Sequence, residues 1–144
     1  MNARGPVLLV EDNPDDVFFM QRAWKTVGVE NPLHVAEDGN KAIEYLSGAG
    51  KFADRVAHPL PCVMLLDLKL PGPSGLDVLA WMRERKEFTT SVVIVLSTSR
   101  EPRDIHEAYR LGANAYLVKP TSPAQLGELV SAIKVFWIDN NIVD

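Results

Sequence analysis

CVMLLDLKLPGPSG, residues 62–75, is the stretch on which the fold turns. It opens with an unbroken apolar run, as in a central parallel strand covered on both faces; a strand with one wet side would alternate. The run stops at Asp67. A Pro-Gly-Pro turn follows, and Ser74 then caps a helix presenting Leu76, Leu79 and Met82. A buried strand leading at once into a capped helix is the opening of a βαβ unit.

Working outward, three more apolar runs end in a residue able to handle a phosphoryl group or a metal. Residues 7–10 run into Glu11 and Asp12, residues 92–96 into Ser97, and residues 115–118 into Lys119. A weaker strand covers residues 33–36. Asn13 and Pro14 read as the cap and first residue of a helix carrying Phe19, Ala23 and Val27 and closed by Gly28. Asp15 and Asp16 suit its positive N-terminus. Asp38 caps a helix through about Ser47, with Ala42, Ile43 and Leu46 facing inward. A further helix spans about 102–111 before Gly112. Ser122, Pro123 and Gln125 form a capping box for the last helix, which reaches at least Phe136. The order is (βα)5, which predicts an α/β fold: a doubly wound, five-stranded parallel sheet with helices on both faces.

The 144 residues, 47% of them hydrophobic, suit one domain over 1–144, with a core of about 6–136 and a tail of about 137–144. Residues 48–61 form a loop long enough to suggest a purpose. No stretch reaches the roughly 18 apolar residues of a membrane span, and residues 1–6 lack a signal-peptide core. Cys62, the single cysteine, has no internal disulfide partner, so a reducing, cytoplasmic compartment is expected. A net charge of −4 argues against a nucleic-acid partner. His34, His58 and His106 show no metal-ligand spacing.

Ligands of open α/β sheets bind beyond the carboxyl ends of the strands. If the runs are neighbouring strands, Glu11, Asp12, Asp67, Ser97 and Lys119 meet there. Two unit charges about 4 Å apart repel by roughly 4 kcal/mol at an effective dielectric near 20, so three crowded carboxylates call for a cation. Oxygen ligands with room for water suit Mg²⁺. A carboxylate is also a nucleophile for phosphoryl groups, and a lysine and a hydroxyl can stabilise phosphoryl oxygens. Each residue alone has a plainer reading. Asp67 would cap a turn, Ser97 would be a turn residue, and Lys119 a surface lysine. Together they read as one site.

LLVED (residues 8–12), LLDLKLPGPSG (65–75), VLSTS (95–99) and GANAYLVKP (112–120), in this order and spacing, resemble the receiver domain of two-component response regulators. The resemblance implies a flavodoxin-like receiver fold with Asp67 as the phosphoacceptor. It implies Mg²⁺ held by Asp12, Asp67 and the backbone carbonyl of Lys69, with Glu11 acting through water. Lys119 and Ser97 match the family's lysine and hydroxyl, and Pro120 its proline after a cis peptide bond. Tyr116 matches the aromatic switch that turns inward when the hydroxyl closes on the phosphate; simple packing is an equal alternative for this ring. The first acid is Glu rather than Asp, and Lys69 and Ser99 stand where the family tunes phosphoryl lifetime.

The resemblance further implies a phosphoacceptor switch, not an enzyme in the usual sense, that promotes its own aspartyl phosphorylation and dephosphorylation. A sensor histidine kinase or a histidine phosphotransfer protein would supply the phosphoryl group. The long loop and the Phe136-Trp137 pair also resemble single-domain receivers that work with phytochrome-type kinases and dimerise. After Pro120 only a helix and a short tail remain in this sequence, so output through protein contacts is expected. Val135, Phe136, Trp137 and Ile138 cannot all face one core from a helix. Either two pack inward and two are exposed, or this end, with Ile142 and Val143, packs on a second copy. Three other classes compete. A dehalogenase-like phosphatase would need an acid where Lys69 stands, a nucleotide or flavin module would need a glycine-rich cradle after the first strand, and a phosphorylation-independent scaffold would not need the site intact.

Overall fold

Among the described residues, five parallel strands alternate with helices. The computed structural model describes residues 5–142. The strands are β1 (Val7–Val10), β2 (Leu33–Ala36), β3 (Val63–Leu66), β4 (Val92–Ser97) and β5 (Ala115–Val118), in the order β2-β1-β3-β4-β5. The helices are α1 (Pro14–Val27), α2 (Gly39–Ser47), α3 (Gly75–Arg83), α4 (Pro102–Arg110) and α5 (Pro123–Ile133). This is the expected doubly wound, flavodoxin-like receiver architecture.

Side chains alternate across the strands, so each strand feeds two cores. Leu8, Val10, Met64, Leu66, Val93 and Val95 pack with Ala42, Tyr45 and Leu46 of α2 and Val78, Leu79 and Met82 of α3. Val7, Leu9, Val63, Leu65, Ile94 and Leu96 pack with Met20, Ala23 and Trp24 of α1 and Val130 and Ile133 of α5. Each fully buried Leu or Ile stabilises the fold by roughly 1.5–3 kcal/mol. Burial on both faces is why the central runs are apolar without interruption.

Several helix faces differ from those read in the sequence. The buried stripe of α1 is Met20, Ala23 and Trp24, and Phe19 lies exposed beside it. In α2 Tyr45 is buried and Ile43 only partly so; in α3 Val78 takes the place expected for Leu76. Ser122 Oγ accepts from Gln125 N at 3.2 Å, but the reciprocal capping box forms at α3, between Ser74 and Asp77. No described peptide bond is cis, so the bond before Pro120 is trans and not cis as the resemblance implied; trans is the lower-energy isomer of an X–Pro bond.

The 48–61 loop contains a short 3₁₀ turn, Gly50–Ala53, and is fastened at both ends of its path. Arg55 donates to the carbonyls of Tyr45 (2.8 Å), Leu46 (2.8 Å) and His58 (3.2 Å), and Tyr45 Oη donates to the Pro59 carbonyl at 2.8 Å. The guanidinium thus binds carbonyls at the C-terminus of α2, where Gly48 N also donates to the Tyr45 carbonyl. Beyond α5 the chain continues in wider π-type turns, Lys134–Asn140. Trp137 and Ile138 pack against the core between α1 and α5, whereas Val135, Phe136 and Ile142 are exposed. Val143 lies outside the described residues. No described helix is long and apolar enough to cross a membrane.

Gly75, the first residue of α3, sits against the backbone that carries Asp67. A Cβ there would lie 2.1 Å from the Asp67 carbonyl oxygen and 2.7 Å from Leu68 Cα. Neither atom can move without shifting the end of β3. Gly75→Ala is therefore expected to destabilise the protein by about 1–3 kcal/mol, the usual cost of overpacking, measured as a lower midpoint in urea unfolding.

Candidate functional site

The parallel register fixes where the chemistry gathers. Val10 is paired with Leu66, so Glu11 and Asp67 leave adjacent strands at the same level. The ladder runs one step further, with Asp67 N donating to Val10 O at 3.1 Å and Lys119 N to Ser97 O at 2.9 Å. Three strand ends therefore hold their last side chains side by side with little freedom.

Lys119 Nζ stands at the centre, 2.5 Å from Glu11 Oε1, 3.0 Å from Asp67 Oδ2 and 3.0 Å from Asp16 Oδ2. Glu11 and Asp67 are buried, while Asp12 is exposed. The loop backbone completes the setting: Asn13 N donates to Glu11 Oε2 at 3.3 Å and Lys69 N to Asp67 Oδ1 at 3.3 Å. Asn13 Oδ1 in turn accepts from Asp15 N (2.9 Å) and Asp16 N (3.2 Å), capping α1. The Lys69 side chain points into solvent-exposed surroundings.

Carboxylate oxygens of Glu11, Asp12 and Asp67 lie within 4.8 Å of one another. An all-oxygen donor set with one exposed member leaves a side open to water and fits a divalent metal. Burial pushes the Glu11 carboxyl up to about 7, helped by the charge of Asp67 and opposed by the hydrogen bond from Lys119. Burial disfavours the Lys119 ammonium, yet its hydrogen bonds to Glu11, Asp67 and Asp16 outweigh that and hold its pKa above the ordinary lysine value. The lysine is charged throughout the physiological range.

Ser97 and Tyr116 meet through a third residue. Ser97, fully buried, accepts from Ser99 N at 3.1 Å; Tyr116 Oη donates to Ser99 O at 2.9 Å. Ser99 Oγ donates to Asp104 Oδ2 of α4 at 2.6 Å. The half-buried Tyr116 ring is thus tied to the segment that carries the hydroxyl. Beside the cluster a cavity of about 250 Å³ opens between α1 and α5, lined by Phe19, Met20, Leu126 and Lys119. A wider cavity of about 410 Å³, at the opposite end of β3 and β4, is mostly apolar and gathers no carboxylate cluster.

The structure brings Glu11, Asp12, Asp67 and Lys119 together as expected and joins Asp16 to them. In the sequence Asp16 reads only as a complement to the helix N-terminus. Its one visible signal was position: it lies one helical turn past Asp12, on the strand-end side of α1.

Residues 7–131 match the family described as the response regulator receiver domain. The response regulator Rcp1 of Synechocystis is 33% identical over 133 residues, which cover 92% of this chain and 88% of Rcp1. The Mn²⁺-bound form of Rcp1 superposes with a TM-score of 0.86, at 32% identity, covering 96% of this chain and 97% of that one. The phosphorylated cyanobacterial phytochrome response regulator RcpA gives 0.88 at 33% identity, with 96% of each chain covered. RPA3017, a response regulator in red light signalling of R. palustris, gives 0.89 at 34% identity, with 96% and 98% covered.

The raised Glu11 pKa has a thermodynamic sign. A carboxyl near 7 when folded and near 4.5 when unfolded favours the folded state below pH 4.5, and that contribution is lost as pH rises through 7. In metal-free buffer, the stability of the wild type relative to Glu11→Gln should fall between pH 5 and 8. Thermal unfolding in EDTA at both pH values measures it; a constant difference would contradict the assignment.

Proposed function

The chain belongs to the response regulator receiver domain family of two-component signalling, and from that premise we propose that it is a single-domain phosphoacceptor switch. Asp67 accepts a phosphoryl group from a sensor histidine kinase, of the phytochrome type, or from a histidine phosphotransfer protein. The observation carrying this reading is the Lys119 ammonium 3.0 Å from Asp67, at a strand edge it shares with Glu11 and Asp12.

An Asp67 carboxylate oxygen attacks the phosphorus of a phosphohistidine. The new O–P bond forms as the P–N bond breaks, and the imidazole nitrogen leaves with the electron pair and takes up a proton. Asp12, Asp67 and the Lys69 carbonyl are the residues proposed to hold Mg²⁺, with Glu11 acting through water; the ion, when bound, would neutralise charge on the transferring group. Lys119 offsets the charge of the phosphoryl oxygens from its place beside Asp67. The Ser97 hydroxyl leaves Ser99 N to donate to a phosphoryl oxygen, and Tyr116, tied to Ser99, reports that movement to α4 as a population shift. Water later attacks the phosphorus of the acyl phosphate; the O–P bond to Asp67 breaks, and inorganic phosphate leaves as the carboxylate is restored. We place the protein in the cytoplasm, where kinases draw on ATP, and assign its output to protein contacts rather than nucleic acid or membrane.

The pair Val135 and Phe136, exposed together with Ile142, supports a homodimer through the C-terminal segment. Trp137 and Ile138, which the sequence also suggested for that contact, instead anchor the segment to the core. Phe136→Glu should reduce a solution mass of twice the chain to that of one chain by light scattering; a wild-type monomer would end the dimer assignment.

With acetyl phosphate and Mg²⁺ the wild type should form a hydroxylamine-sensitive acyl phosphate, seen as an 80-Da gain by mass spectrometry consistent with one phosphoryl group. Asp67→Asn should abolish it. Equal labelling of that variant would refute Asp67 as the acceptor.

A further inference from the structure

Lys119 has three N–H donors, and the structure sets a carboxylate before each. In the reaction proposed above, two of these partners change. Asp67 gains the phosphoryl group, and Glu11 belongs to the cluster that fits a metal. Asp16 does neither. It stands outside the metal-ready group, on α1 rather than on a strand, and its backbone N–H is fixed by Asn13 Oδ1 at 3.2 Å. Asn13 is itself tied to Glu11 through its own N–H at 3.3 Å. The position of Asp16 is therefore built into the first turn of α1 and referred to the site through two short links.

Resting on the phosphoacceptor reading, we propose that Asp16 is a positioning residue that holds the Lys119 ammonium at the mouth of the site while its other two partners are exchanged. A lysine side chain turns about four single bonds and loses rotamer entropy when fixed. With Asp16 in place, that cost is met before the phosphoryl group arrives. Without it, the ammonium rests on Glu11 and Asp67 alone, the two groups it must partly release. A plainer role is an acid near a helix N-terminus joined in a half-exposed ion pair, which is worth little. Asp15 separates the two roles. It occupies the same first turn, carries the same charge and makes no ion pair with Lys119 among the described residues.

The test compares Asp16→Asn, Asp16→Glu and Asp15→Asn with the wild type in two measurements. The first is the rate of acyl phosphate formation from phosphoramidate at saturating Mg²⁺. The second is the ¹⁵N resonance of the Lys119 ammonium in the complex with beryllofluoride and Mg²⁺. Asp16→Asn should slow phosphorylation about tenfold, less than the hundredfold that a 1 Å misplacement of a reacting group can cost. It should also broaden the Lys119 resonance. Asp16→Glu should recover most of the rate, and Asp15→Asn should stay within about twofold of the wild type, with a sharp lysine signal in both. Equal slowing in Asp16→Asn and Asp15→Asn, or an unchanged Lys119 signal in Asp16→Asn, would overturn the inference and leave only general electrostatics. Failure of the wild type itself to be labelled would instead overturn the phosphoacceptor reading.

Discussion

A single ammonium among carboxylates is the interaction on which the rest of the site depends. Lys119 faces Glu11, Asp67 and Asp16 within 3.0 Å, and Asp12 lies close behind. Like charges such as those of Glu11, Asp12 and Asp67 repel by roughly 4 kcal/mol at about 4 Å and an effective dielectric near 20. One positive charge cannot balance them all. The residual negative charge is what suits the edge to a divalent cation. The same imbalance is visible in Glu11, whose carboxyl is pushed up to about 7 by burial and by the neighbouring charge.

The strand ends were legible because their signal is local and redundant. A run such as residues 63–66 is buried on both faces, so every position must be apolar, and the first polar residue after it marks the edge. Parallel pairing then aligns the edges, and Glu11, Asp67 and Lys119 follow without any knowledge of side-chain conformation. Helix faces were less legible. Phe19 and Met20 are both large and apolar, and only the docking angle of α1 decides that Met20 turns in and Phe19 stays out. Asp16 was hidden for a related reason: its link to Lys119 spans 103 residues, and an acid in a first helical turn already has a sufficient local explanation. Ser99 escaped notice as a junction because its contacts to Tyr116 and Asp104 run through a backbone carbonyl and a loop hydroxyl.

Two other features hold the site in place from behind. Gly75 lets the start of α3 press directly on the peptide that carries Asp67, so the helix acts as a stop for the strand end. The 48–61 loop reads in the sequence as long enough to suggest a purpose, with glycines at one end and prolines at the other. Arg55 turns it into a clasp on the last carbonyls of α2, a role that composition does not reveal because the partners are backbone atoms. At the other end of the chain, Trp137 and Ile138 return to the core and leave Val135 and Phe136 outside, which divides four consecutive apolar residues between stability and surface.

The order in which the parts of the site leave the ribosome is set by their positions in the chain. Glu11 and Asp12 emerge first, Asp67 next, and Lys119 only with the final strand. A nascent chain that has paired β1 with β3 already holds its acids side by side, yet lacks the cation meant for them. Until β5 joins, like charges at that edge oppose the native pairing. Completion of β5 thus does more than add a strand: it delivers the charge that makes the finished sheet comfortable with its own edge.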